Sequence, residues 1–364
     1  MALEFHDHRA DLVSWAFGLG VSREATQIYA AADTIDLHIE SFVWTRAFGY
    51  DLARRHGRGL LAGGYYSQVD FPRLLEAGMT GSVWSICTNP LRLRGQRTRI
   101  SLENLRHLRA LIEAHPDELR VVTDHAGYVD ARRQGKHACW LAIQGGNALD
   151  SQPGDLERIP DNLVSRITVV HLTSSTLGAT SSPLARADSG LTELGRDYIR
   201  AMNAGRILVD LAHISRRGFW QALEVHDRSQ PAIVSHTGVC AVHDLWRNID
   251  DEQIKAIAAT GGVIGIVYHS SFLGGPTWTG SARAIVDHMA HVVRVAGDDF
   301  VALGSDWDGL IVTPKDMRTV LELPVLVQYM LDRGWSSERI GKILGGNYLR
   351  VMKAIRPGSL GAAG

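Results

Sequence analysis

The stretch DTIDLHIE, residues 33–40, carries a histidine and a glutamate two positions apart, His38 and Glu40. On an extended strand such a pair projects to one side, so an imidazole nitrogen and a carboxylate oxygen can converge on one cation. Further metal-ligating or acid–base residues close other apolar runs: His171 after ITVV, His213 after LVDLA, His236 after PAIVS and Asp306 after VALGS. Taken singly, each has a structural explanation, a core histidine bonded to a backbone carbonyl or an aspartate capping a helix. Their recurrence at the ends of successive runs predicts one metal site of mixed nitrogen and oxygen ligands, with zinc as the default ion and manganese or iron as alternatives. Gln144, which ends WLAIQ, is the odd member: a neutral amide where the other positions are ionisable.

Positioning these residues requires parallel strands. Short apolar runs recur at 33–38, 81–86, 119–124, 138–144, 167–172, 206–212, 231–235, 262–268 and 300–305, with helical patterns between them. Strand–helix alternation calls for a parallel sheet, and runs that are continuous rather than alternating indicate strands covered on both faces. The pattern predicts a TIM (β/α)8 barrel formed by one domain, residues 1–364, with its site at the C-terminal ends of the strands. Nine runs are one too many, and 119–124 is expected to be an accessory element. Between runs, Thr192 is a candidate N-cap, Gly205 a candidate left-handed C-terminal residue, and Gly261 and Gly262 a turn.

Composition narrows the partner. The chain has 38 basic and 39 acidic residues, a net charge of −1, and 45% apolar content, which argues against a nucleic-acid surface or a disordered tail and favours a small molecule. Cys87, Cys139 and Cys240 fit neither a disulfide framework nor a metal knuckle and are expected to be core thiols. With no signal-like or membrane-spanning run, a cytoplasmic protein is expected.

The sequence resembles the renal (membrane) dipeptidase family, the M19 metallopeptidases of the amidohydrolase superfamily. The resemblance rests on DLHIE, QVDFPRLLEAGMTGSVWSI, AIQGG, NAGRILVDLAHIS, PAIVSHTGV, RNIDDEQIKAIAATGGVIG, GSDWDG and GGNYLRV. It implies that His38 and Glu40 bind a first zinc and that His213 and His236 bind a second. Gln144 stands where the family's glutamate bridges the two ions. Asp306 would assist the metal-bound water, which attacks the amide carbonyl as hydroxide. His171 would contact the substrate carbonyl, and Arg247 would hold the substrate carboxylate. The resemblance also implies a dipeptide substrate and a homodimer. Two departures stand out: Glu40 replaces an aspartate, and HLTSS, ending at Ser175, replaces the family's T-H-N-G-x-N loop.

A bridging carboxylate offers one anionic oxygen to each of two cations, whereas an amide offers one neutral oxygen and an NH2 that no cation accepts. One tightly bound zinc is therefore expected, with the second weak or absent. Counting charges favours the first position, and Gln144→Glu is expected to add an ion. The sequence supports a dipeptidase-like amidohydrolase acting on a dipeptide or N-acyl amino acid. The alternative is an impaired or repurposed barrel that binds a small carboxylate ligand or performs non-hydrolytic chemistry.

Overall fold

The structure is a computed structural model that describes all residues except 1, 58–59, 88–91, 94, 150–151, 184, 186–188 and 360–364. Nine strands run β1 Ile35–Ile39, β2 Gly81–Cys87, β3 Leu119–Val121, β4 His137–Gln144, β5 Val164–Thr168, β6 Leu208–Asp210, β7 Ala232–Thr237, β8 Ile264–Ile266 and β9 Val301–Leu303. All pairings among them are parallel, and β2 pairs with β4, which closes eight strands into the expected (β/α)8 barrel.

The accessory status expected of 119–124 follows from how β4 is shared. One edge of β4 is taken by β2 from Ala138 to Gln144. On the other edge β3 pairs with residues 137–139 and β5 with residues 141–144. β3 thus fills a short stretch of edge that β5 does not reach.

β4 shows why these runs are apolar throughout. Ala138, Trp140 and Ala142 join one apolar cluster, while Cys139, Leu141 and Ile143 join another. The first also contains Tyr348, Val351, Met352 and Ile355 from the helix Asn347–Ile355. Alternate residues therefore serve different cores, and from Ala138 both faces stay apolar until the strand reaches its mouth at Gln144.

Local signals are largely as expected. The Thr192 hydroxyl accepts from Gly195 N at 3.0 Å and caps Glu193–Ala204, and Asp250 and Gln253 form a reciprocal capping box on Asp251–Ala259. Gly261 is left-handed, with φ of 77°, and Gly262 runs so close to Ala232 that a Cβ would lie 1.7 Å from its carbonyl oxygen. Gly205 differs from expectation: it has φ of −81°, and the left-handed residue is Arg206 with φ of 48°. A tertiary contact holds Arg206 there, its carbonyl accepting from Arg356 Nε at 2.7 Å. Among the described residues no helix is long and apolar enough to cross a membrane, and all three cysteines are free.

Candidate metal centre

The ends of five strands converge. His38 lies within β1 and Glu40 just past it, Gln144 ends β4, and His236 lies within β7. His213 and Asp306 each follow their strand, β6 and β9, by three residues, with φ of 63° and 64°. Such left-handed backbone at non-glycine positions costs about 1–2 kcal/mol each and turns these two side chains back over the barrel mouth.

His171 is a correction to the strand boundaries. β5 starts at Val164 and ends at Thr168, not 167–172, so His171 sits on the following loop. The apolar run misled because the first residues of β5 include polar groups that are buried by pairing: Ser165 donates to Leu141 O, and Arg166 is fully buried. His171 still reaches the site, its ring 4.7 Å from that of His213 and nearly perpendicular to it.

The inter-residue distances define a compact centre. His38 Nε2 is 3.3 Å from Glu40 Oε1, 3.2 Å from Gln144 Oε1 and 3.6 Å from Asp306 Oδ1. The same-side arrangement expected of the H-x-E pair is therefore present. Gln144 Nε2 lies 3.1 Å from His213 Nε2 and 3.4 Å from His236 Nε2, and those two ring nitrogens are 2.8 Å apart. His38, His236 and Asp306 each offer a ligand atom within 4.8 Å of the others.

Around the centre stands a shell that reading the sequence missed. The Arg166 guanidinium, inside the barrel, contacts side chains from β1, β2, β5, β6 and β7. It pairs with Asp210 and donates to Thr168 Oγ1 at 2.9 Å, to Ser85 Oγ at 3.2 Å and to His38 Nδ1 at 3.0 Å. The Ser235 hydroxyl donates to Asp210 Oδ2 at 2.6 Å and accepts from His236 Nδ1 at 2.8 Å. The hydroxyl already gives its proton to Asp210, so His236 must keep its own on Nδ1 and present a lone pair at Nε2. The arginine within VSRITVV and the aspartate within LVDL were the available signals, single charges inside apolar runs.

Burial sets the electrostatics. It pushes Glu40 up to about 8 and Asp306 well above the usual carboxylate range, in the latter case reinforced by the Glu40 charge. Burial holds His38, His213 and His236 well below the ordinary histidine value and His171 down at about 3, so all four rings are neutral at pH 7. A buried, carboxylate-rich and imidazole-rich centre of this kind suits a cation, whose charge would reverse the cost of ionising the acids. The donor set therefore fits a metal ion.

A cavity of about 220 Å3 opens on the centre. Glu40, Gln144, His171, His213, Arg247 and Asp306 line its polar side, and Trp246, Phe272 and Leu310 are among its apolar walls. Arg247 is buried, donates from Nη2 to His236 O at 2.7 Å, and has Nε without a partner.

A closed parallel barrel with imidazoles and carboxylates gathered at its C-terminal mouth defines the class of metal-dependent amidohydrolases. The chain belongs to the membrane dipeptidase family, peptidase family M19, whose profile matches residues 22–359. Its fold is similar to that of an amidohydrolase from Pseudomonas aeruginosa, at 21% identity and TM-score 0.74, covering 92% of this chain and 99% of that one. It is also similar to the probable dipeptidase PvdM from the same organism, at 16% identity and TM-score 0.79, over 92% and 98% of the two chains. A metallo peptidase from Rhodobacter sphaeroides, liganded with a phosphinate mimic of L-Ala-D-Ala, has 22% identity and TM-score 0.77, over 89% and 99%.

Proposed function

We propose that this protein hydrolyses the amide bond of a dipeptide or N-acyl amino acid with the help of one tightly held zinc ion. The observation that carries the reading is the convergence of His38, Glu40, His213, His236 and Asp306 at one centre, beside a cavity that Arg247 also lines. When bound, the ion acidifies a water molecule and polarises the scissile carbonyl. His38 and Glu40 form one candidate set of ligands, and His213 and His236 another.

The chain's own residues do the rest. Arg247 binds the substrate carboxylate through Nε and the guanidinium edge not used by His236 O, fixing which bond lies over the centre. Neutral His171 donates a hydrogen bond to the carbonyl oxygen, stronger as negative charge develops there. Asp306 receives the proton of the attacking water and passes it to the leaving amine. The apolar walls exclude water from the side-chain space, and the cavity of about 220 Å3 favours small residues such as alanine. The L-Ala-D-Ala mimic bound by the Rhodobacter sphaeroides protein supports that size class.

The test is release of free alanine from L-Ala-L-Ala, L-Ala-D-Ala and N-acetyl-alanine by zinc-loaded protein, with loss on chelation and recovery on adding zinc. Turnover of none of the three, with alanine-containing ligands still binding, would favour the repurposed barrel, for which Gln144 in place of a bridging carboxylate is the supporting observation. A homodimer is proposed from the family resemblance alone, and sedimentation at the mass of a single chain would reject it.

A further inference from the structure

We propose that Arg166 fixes the hydrogen-bond polarity of the whole centre, so that His38 is a proton-bearing donor and not a metal ligand, and the single ion is held by His213 and His236. This rests on the metallohydrolase reading above and names the position its ion takes.

An arginine can only donate. Arg166 Nη2 lies 3.0 Å from His38 Nδ1, so Nδ1 must be the acceptor, and the proton of the neutral ring sits on Nε2. That proton points into oxygens alone: Gln144 Oε1 at 3.2 Å, Glu40 Oε1 at 3.3 Å and Asp306 Oδ1 at 3.6 Å. Gln144 Oε1 is thereby an acceptor, which turns the NH2 end of the same amide toward His213 and His236, at 3.1 and 3.4 Å. His236 Nε2, whose ring proton is on Nδ1, is an acceptor, and His213 Nε2 lies 2.8 Å from it, so a cation between the two rings takes the place of the one proton they share. The direction of the bonds from Arg166 through His38 to Gln144 follows from one residue that cannot reverse, and it fixes which end of the Gln144 amide is which.

The same cation acts through charge. Arg166 and Asp210 have fully buried side chains and neutralise one another, and Asp210 is also the acceptor for Thr168 and Ser235 hydroxyls at 2.6 Å each. A guanidinium held this way cannot swing out without stranding a buried carboxylate. A metal ligand normally passes its other ring proton to an acceptor, as His236 does to Ser235 Oγ. His38 faces a donor at that place instead. Arg166 is thus a positioning residue, and it reverses the preference obtained by counting charges, which placed the ion beside His38.

Anomalous diffraction at the zinc edge from crystals of zinc-loaded protein locates the ion. The expected result is one peak bonded by His213 and His236 nitrogens at about 2.0–2.1 Å, with His38 Nε2 beyond bonding distance. A peak bonded by His38 overturns the inference and leaves the hydrolase reading intact. Absence of any peak, together with no zinc uptake in calorimetry, overturns both. Metal counts give a second measurement: Gln144→Glu alone is expected to stay at one zinc per chain, and Gln144→Glu combined with Arg166→Lys to reach two. The lysine ammonium keeps a charge for Asp210 but is too short to also hold His38 Nδ1. Two zincs in Gln144→Glu alone overturn the inference.

Discussion

Arg247 and Asp306 separate binding from chemistry at the level of single residues. Arg247→Met removes the carboxylate clamp but leaves the acid–base group, so KM for a dipeptide should rise about ten- to a hundredfold with a smaller change in kcat. The substrate amide, which lacks that charge, should be hydrolysed equally by both forms. Equal losses on the two substrates in steady-state assays would place Arg247 outside the binding site. Asp306→Asn keeps the shape of the side chain and removes the proton acceptor, so kcat should fall by about 10²–10⁴ with zinc content unchanged. Most site residues were legible because their types are rare in apolar strands: an H-x-E pair, lone histidines and an aspartate at run ends have few structural reasons to recur. Arg166, Asp210 and Ser235 were not legible as a set. Each is one polar residue on a different strand, and only barrel closure brings them together around His38 and His236.

At the level of elements, the strands position the site through backbone packing as much as through side chains. Gly265 on β8 and Gly304 after β9 both lie against the Ser235 carbonyl, where an added Cβ would sit 1.9 and 2.0 Å from its oxygen. Gly265→Ala must therefore push Ser235 away, and with it the hydroxyl that orients His236. Chemical denaturation should show a loss of about 3 kcal/mol or more, and zinc affinity should fall as well. An alanine variant with unchanged stability would show that β7 and β8 can slide apart freely. Eight barrel strands were readable from sequence because burial on both faces writes a continuous apolar run. β5 starts earlier than its apolar run because it opens with Ser165 and Arg166, whose burial depends on partners on other strands, Leu141 on β4 and His38 on β1 among them. Thr192, Asp250 and Gly261 were readable because caps and left-handed turns are local, whereas Arg206 took the left-handed position through Arg356, which is remote in sequence.

For the whole molecule, the number of neutral buried histidines has a consequence in acid. His137 is far from the cavity: its Nδ1 donates to Met79 O at 2.8 Å, the Ser82 hydroxyl donates to its Nε2 at 2.7 Å, and burial lowers its value from 6.5 to about 4. His269 and His288 are lowered to about 4 by the same cause. The unfolded chain binds protons at these rings below pH 6.5 while the folded chain does not. Stability from them is therefore present above that value and lost progressively as pH falls to about 4. For His137 alone the full loss is on the order of 3 kcal/mol. Urea midpoints of the wild type should drop between pH 7 and pH 5 more steeply than those of His137→Gln, and parallel slopes would assign the acid sensitivity elsewhere.

The three-residue β3 covers the one stretch of β4 edge that barrel closure leaves open. Closing eight strands into a ring normally leaves no free edge, but β5 begins too late to cover residues 137–139 of β4. Those backbone groups would be an open template for strand addition. β3 covers them and then presents a short outer edge of its own, carrying Arg120 paired with Asp130. An edge that brief and that charged is a poor seed for intermolecular pairing.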